Sequence, residues 1–286
     1  MSIDNNHGKL VFSRVYQENQ YRIDSATLDD DIRYVRENGI KNVIYYHKGT
    51  GGNLDWLNEV GDSLDKIFIT TPSSGKFLFD GIKYCKNLAF LYINNTCAGE
   101  IDLSLVPNLE FFSCENGKYV KNLHQVKKLQ ELILTRPSKD LLTNGVFSEL
   151  KNLKRLVLSS VELADGISFL DGLTLDDLYF YSCKNLSFKG LTCLKLLKLK
   201  IEKCKTASYS EEIYSQQSLM ELSLVDSFQL ESANDVSPLG SLEVLVMLGS
   251  SYFKDGHIAF LKDKLRIFNF DNKRHYDSKF EFTKQE

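Results

Sequence analysis

The 286-residue chain has no long apolar run, and its opening residues, MSIDNNHGKL, carry no basic stretch leading into an apolar one. The first absence argues against a membrane-spanning helix and the second against a secretory signal. A soluble protein kept in the cytoplasm, with no membrane partner, is therefore expected. Cysteine is scarce, with residues at 85, 97, 114, 183, 193 and 204, and no two form a C-x-x-C pair. That spacing speaks against a disulfide framework or a zinc site and fits reduced, half-buried thiols, with Cys114 pointing inward. A strong charge of either sign is also missing. The net charge of −3 disfavours nucleic acid as a partner and suits a basic protein.

Catalytic signatures are absent as well. There is no G-x-S-x-G, no phosphate loop and no G-x-G-x-x-G. The glycine-rich HKGTGGN at 47–53 lacks the Lys-Ser/Thr pair of a phosphate loop and reads as a long turn. His7, His47, His124, His257 and His275 lie at no metal-site spacing from one another or from cysteines and carboxylates, so solvated roles are expected for them. No two carboxylates stand in a recognisable acid–base frame. The sequence predicts no enzyme, no cofactor and no metal.

What the chain does contain is one pattern, many times over. LKNLKRLVLSSVEL at 150–163 begins with leucines three apart and then changes to a step of two. A helix keeps to three or four, and a strand keeps to two. The core L-x-x-L-x-L, allowing any large apolar residue at its fixed places, starts at Ile40, Leu64, Leu88, Leu109, Leu129, Leu153, Leu175, Leu194, Leu219, Leu242 and Leu265. Successive starts lie 19 to 25 residues apart. Eleven matches in near-constant spacing mark an internal repeat. Val106, Val126, Leu150, Leu191 and Leu239 add an apolar residue three places upstream of several units.

This pattern resembles the short, roughly 22-residue units of the leucine-rich-repeat family, over about Ile40 to Phe270. The resemblance implies an α/β leucine-rich-repeat solenoid, a horseshoe with a concave parallel β-sheet of about 11 strands. Places three to five of each unit form a strand, with the fourth and sixth side chains inward. Stacked units share one core that none could bury alone. The family's usual Asn or Cys at the ninth place occurs only once, as Cys183. The asparagine ladder is therefore expected to be missing. The convex side is expected to be irregular, built of loops, 3-10 turns and short helices, with VFSELKNL and DGHIAFLKDK as the candidate helices.

The flanks read as covers for the sheet edges. Residues 1–39 are expected to form an N-terminal cap: a hairpin of Lys9–Tyr16 and Gln20–Asp24 around QEN, then a helix in TLDDDIRYVRENG. Thr27 and Asp30 have capping-box spacing, Leu28, Ile32 and Val35 share a face, and Gly39 ends the helix. Residues 40–270 are the solenoid and 271–286 a C-terminal cap or tail in which Phe280 and Phe282 form a last strand, all in one structural domain.

Outward places three, five, seven and eight carry Tyr46, His47, Phe68, Phe90, Tyr92, Phe111 and Glu115 in the first four units. Later units add Glu131, Arg155, Asp177, Tyr179, Tyr181, Glu221 and Asp226. Aromatics with acidic neighbours suit a protein-binding face. Phe68, Phe90 and Phe111 admit a second reading, as covers over neighbouring strands. Lys195, Lys198 and Lys200 form a basic spot, either a local contact point or a solvated face. The expected function is a non-enzymatic protein-binding module. Free-standing proteins of irregular leucine-rich repeats also resemble bacterial immunity proteins that neutralise a secreted toxin, often a nuclease. That resemblance implies a basic toxin domain as partner. The alternative is a regulatory or adaptor scaffold unrelated to toxins.

Overall fold

Each repeat's apolar residues dictate a short strand, because side chains stepping by two place alternate residues on one face. The computed structural model describes residues 10–13, 18–71, 75–94, 99–204, 207 and 211–270. Its eleven repeat strands start at place three and run to place seven in nine units and to place six in two, longer than the three to five anticipated. The chain forms two compact units, Met1–Leu141 and Leu142–Glu286.

In the first unit, β1 (Leu10–Ser13) pairs antiparallel with β2 (Glu18–Asp24). Glu18 and Asn19 therefore belong to the strand and not to the turn of the expected hairpin; residues 14–17 lie outside the described set. Parallel to β2 follow β3 (Asn42–Tyr46), β4 (Lys66–Thr70), β5 (Phe90–Asn94), β6 (Phe111–Cys114) and β7 (Glu131–Thr135). The second unit stacks β8 (Arg155–Ser159), β9 (Asp177–Tyr181), β10 (Lys198–Glu202), β11 (Glu221–Val225), β12 (Val244–Leu248) and β13 (Ile267–Phe270), all parallel. This is the leucine-rich-repeat solenoid fold: a strand, a return through irregular turns, and the next strand beside the first. The expected strand at Phe280 and Phe282 lies outside the described residues.

The inward rows are buried as the period requires. Val43, Ile67, Leu91, Phe112, Leu132, Leu156, Leu178, Leu222 and Leu245 are fully buried in their units. So are the upstream Val106, Val126, Leu150 and Leu239. One unit departs from the anticipated register. Leu178 pairs with Leu199 and Phe180 with Ile201, so the eighth repeat starts at Leu196 and not at Leu194. Leu196 is fully buried, whereas Leu197, expected to point inward, is 39% exposed. The stretch LKLLKLKI at 194–201 holds two overlapping matches, and pairing with both neighbouring strands selects the second. Leu191 then lies five places upstream and opens a 3-10 turn, Leu191–Cys193.

The convex side is irregular, as expected. Among the described residues, three single-turn helices, α2 (Leu57–Val60), α3 (Asn144–Phe147) and α4 (Glu211–Tyr214), and the longer α1 (Leu28–Glu37) are joined by many 3-10 turns. The VFSELKNL stretch holds only the end of α3, and DGHIAFLKDK holds a 3-10 turn at Ala259–Lys262. Helix α1 ends on a Schellman motif: Ile40 N–H reaches Val35 O at 3.0 Å and Gly39 (φ 59°) N–H reaches Arg36 O. Its start corrects the capping-box expectation. Thr27 makes no side-chain cap bond to the helix backbone; its hydroxyl donates instead to Asp31 at 2.8 Å. The buried Asp31 carboxylate also accepts from Tyr21 Oη and Asp24 N–H, each at 3.0 Å. Burial is the first cause that drives the Tyr21 phenol well above its ordinary range, followed by this bond to Asp31.

A side-chain ladder does run along the second unit. Cys183 N–H bonds Cys204 Sγ at 3.3 Å, Cys204 N–H bonds Ser227 Oγ at 3.4 Å, and Ser227 N–H bonds Ser251 Oγ at 3.0 Å. Each side chain also donates to the preceding rung's strand: Cys183 to Leu158 O, Cys204 to Phe180 O and Ser227 to Ile201 O. With the eighth unit starting at Leu196, Cys204 occupies its ninth place. A cysteine–serine ladder thus does the work expected of asparagine. Cys85, Cys114, Cys183 and Cys204 form no disulfide and are fully buried rather than half-buried, and burial pushes the Cys85 thiol up to about 12. Cys97 lies outside the described residues.

Just before the ladder, at the eighth place, the backbone turns left-handed: Ser160, Ser182, Lys203, Asp226 and Gly249 have φ of 54°, 51°, 56°, 47° and 65°. The left-handed residue ends each strand and aims the next N–H groups along the stack. It costs little at glycine and more at the others.

Candidate partner-binding face

Odd places of each strand leave the side opposite the core, so the strand register decides which expected contact residues meet. In the first unit it gathers the aromatics. Phe68 pairs across strands with Tyr92, and Phe90 with Phe111. The Phe90 and Phe111 rings stack at 3.9 Å with 2° between their planes, while Phe68 lies 4.8 Å from Phe90 and 5.7 Å from Tyr92. Strands about 4.8 Å apart bring such rings into contact without strain. The Lys66 ammonium lies 6.0 Å from the Phe90 ring.

This contact seals part of the expected face. Phe68 is 5% and Phe111 9% exposed, so these two act as covers, while Phe90 and Tyr92 remain half-buried. Burial raises the Tyr92 phenol above its ordinary range, and Glu115 adds to the shift. Glu131 sits beside Phe111 in register. Tyr46, at the β3 end of the face, has the Arg22 guanidinium 4.5 Å over its ring. His47 leaves the face: its Nδ1 lies 3.0 Å from Tyr45 Oη, and a Cβ on Gly52 would come within 2.7 Å of its ring. The HKGTGGN turn therefore wraps this histidine, which accounts for a glycine at 52.

In the second unit the charged residues satisfy one another. Arg155 meets Asp177 at 3.0 Å and Lys198 meets Glu221 at 3.3 Å, each pair being direct cross-strand partners. Tyr179 Oη donates to Glu202 at 2.8 Å, Lys200 Nζ reaches the same carboxylate at 3.0 Å, and that ammonium lies 4.5 Å from the Tyr179 ring. Tyr181 packs edge-on to Tyr179 at 6.3 Å and receives a bond from Lys203 Nζ at 3.0 Å. Burial raises the Asp177 carboxyl despite Arg155 and Lys198. Burial also acts upward on Glu202, but the bonds from Tyr179 and Lys200 outweigh it and leave that carboxyl below its usual range. The expected run of acids free to select a basic partner is thus, at Asp177 and Glu221, part of a self-neutralising network that also takes in Glu202. The basic spot is divided: Lys198 and Lys200 are paired and Lys195 is exposed off the strand. Asp226 lies on the left-handed turn, where its Oδ1 accepts from Ser250 N–H at 3.1 Å.

A patch of aliphatics escaped the sequence reading. Val225, Val244, Val246, Leu248 and Ile267 are half-buried on the same side of β11, β12 and β13. The signal was available, since LEVLVM places Val244 and Val246 at outward places three and five, but only aromatics and charges were weighed there. Among the described residues no group of three or more His, Cys, Asp or Glu is placed to hold a metal ion, and no helix is long and apolar enough to cross a membrane.

The architecture is that of the leucine-rich-repeat proteins. No protein-family model matches the chain and no curated protein matches it in sequence. Among solved structures it is similar to TLR13 in a TLR13–ssRNA13 complex, at 21% identity over 75% of this chain and 40% of that one, with a TM-score of 0.46. It is similar also to the internalin InlF of Listeria monocytogenes, at 17% identity over 76% of this chain and 69% of that one, with a TM-score of 0.46. A leucine-rich-repeat protein of Leptospira interrogans is 16% identical over 87% of this chain and 76% of its own, with a TM-score of 0.40. The chain thus spans two-fifths of the TLR13 chain's length.

Proposed function

We propose that the chain is a non-enzymatic protein-binding module whose partner docks on the outward side of its repeat strands. The observation that carries this reading is the pre-set aromatic row of the first unit. Phe90 and Tyr92 keep part of their surface open while Phe68 and Phe111 lock them from either side. Rings fixed before docking lose little conformational entropy on binding, and aromatic anchors concentrate binding energy.

The narrower function we propose is neutralisation of a bacterial toxin inside the cytoplasm. Its support is the resemblance to immunity proteins and the acidic Glu115 and Glu131 beside the aromatic row. A regulatory or adaptor scaffold would use the same face without a toxin. The experiment is affinity capture with the whole chain, comparing the native protein with a Phe90→Ala, Tyr92→Ala double variant whose melting is checked in parallel. Loss of the partner with folding retained supports the face. Unchanged capture overturns it. Inhibition of a captured nuclease by the purified chain separates the toxin reading from the adaptor reading.

A further inference from the structure

The turns that end β9 to β12 surround a shallow depression of about 660 Å³ lined by Ser182, Lys203, Asp226, Ser227 and Ser250. It lies within the second unit and shares no residue with the aromatic row of the first. Its size falls within the range of small-molecule sites, roughly 300–1,000 Å³, but its lining is unlike an apolar drug pocket. It carries three hydroxyls, one ammonium and one carboxylate.

Each charge is held in place. Lys203 Nζ donates to Tyr181 Oη at 3.0 Å and sits 5.1 Å from that ring, leaving two of its three N–H groups for other acceptors. Asp226 Oδ1 is fixed by Ser250 N–H at 3.1 Å, and an ionised carboxylate has acceptor capacity beyond one bond. Lys203 and Asp226 occupy the same place in adjacent rungs, the ammonium bonded back to Tyr181 of the rung before and the carboxylate forward to Ser250 of the rung after. Ser182, Lys203 and Asp226 all hold left-handed backbone, at φ 51°, 56° and 47°. The next rung has Gly249 there, so the fold itself requires no side chain at this place.

The mixture of charges narrows the ligand. A net anion meets the Asp226 carboxylate, a net cation meets the Lys203 ammonium, and an apolar molecule takes water from the remaining capacity of both charges and gives no hydrogen bond in return. A neutral molecule dense in hydroxyls satisfies both charges and the serines, since each hydroxyl donates and accepts. We propose that this depression binds a sugar or similar neutral polyol.

The test is saturation-transfer NMR and calorimetry on the whole chain, using glucose, N-acetylglucosamine, maltose and myo-inositol as probes, with inorganic phosphate and lysine as charged controls. At least one neutral probe should bind at millimolar concentration or better. The Lys203→Ala and Asp226→Ala variants should each weaken it by tenfold or more, and Phe90→Ala should leave it unchanged. Asp226→Asn, which keeps an oxygen for Ser250 N–H, provides a folded control, with melting followed throughout. If none of the four neutral probes binds, if phosphate or lysine binds as well, or if binding survives both alanine variants, the proposal fails. A protein partner on the aromatic row is unaffected by any of these outcomes.

Discussion

Asp31 shows how much one side chain can settle. Its buried carboxylate closes β2 onto α1 through Tyr21, Asp24 and Thr27. Asp31→Ala leaves a buried N–H and a buried phenol without their acceptor, and each such loss costs about 1–3 kcal/mol. Urea denaturation should show a loss of at least that size, and a change below 0.5 kcal/mol would contradict the assignment. In the ladder, Cys204→Ser keeps both an acceptor and a donor, whereas Cys204→Ala strands the Cys183 N–H. The alanine variant should be the less stable of the two by about 1–3 kcal/mol in the same measurement. Glu202 titrates with the opposite sign to Asp177. Its folded-state value lies below the usual carboxylate range, so its contribution is present above the unfolded value near 4.3 and is lost as pH falls through the folded one. Glu202→Gln should therefore flatten the acid limb of the stability–pH curve. The sequence showed none of these three roles, because each depends on partners brought in from another element: β2 for Asp31, and rungs 21 to 23 residues away for Cys204 and the Tyr179 bond of Glu202.

At the scale of the strand, the sequence was more open. A period that shifts from three to two marks every strand of the stack, and ten of eleven starts agree with the observed pairing. The exception is instructive. In LKLLKLKI both frames put large aliphatic residues at every fixed place, and only the spacing to the neighbours, 21 and 23 residues against 19 and 25, distinguishes them. Leu196→Ala should cost about 2–5 kcal/mol and Leu197→Ala no more than about 0.5, as read from paired denaturation curves; the reverse order would restore the frame starting at 194. The slip also hid chemistry. Only with the unit starting at Leu196 does Lys198 fall in the row of Arg155, Asp177 and Glu221, where alternating signs pair across strands. The aromatic row was legible from spacing, but its partial closure was not. That follows from rings on adjacent rungs touching one another, which no single strand reveals.

For the molecule as a whole, the outward side is nearly charge-balanced where the sequence suggested acid. Partner docking on such a surface rests on apolar contact and should respond weakly to salt. Titration at 50 and 300 mM NaCl should change the dissociation constant by no more than about threefold. A steep weakening would instead show that Glu115 and Glu131 steer a basic partner.

The cysteine–serine ladder carries one more implication. From Cys183 to Ser251 in the second unit, each coil after the first presents a small acceptor, a thiol or a hydroxyl, to the coil before it. Such a joint is indifferent to which coil supplies either half, so duplication or deletion of an entire turn leaves matching surfaces on both sides of the break. Within that laddered stretch, change by whole coils is therefore the form of variation the architecture accommodates with least damage.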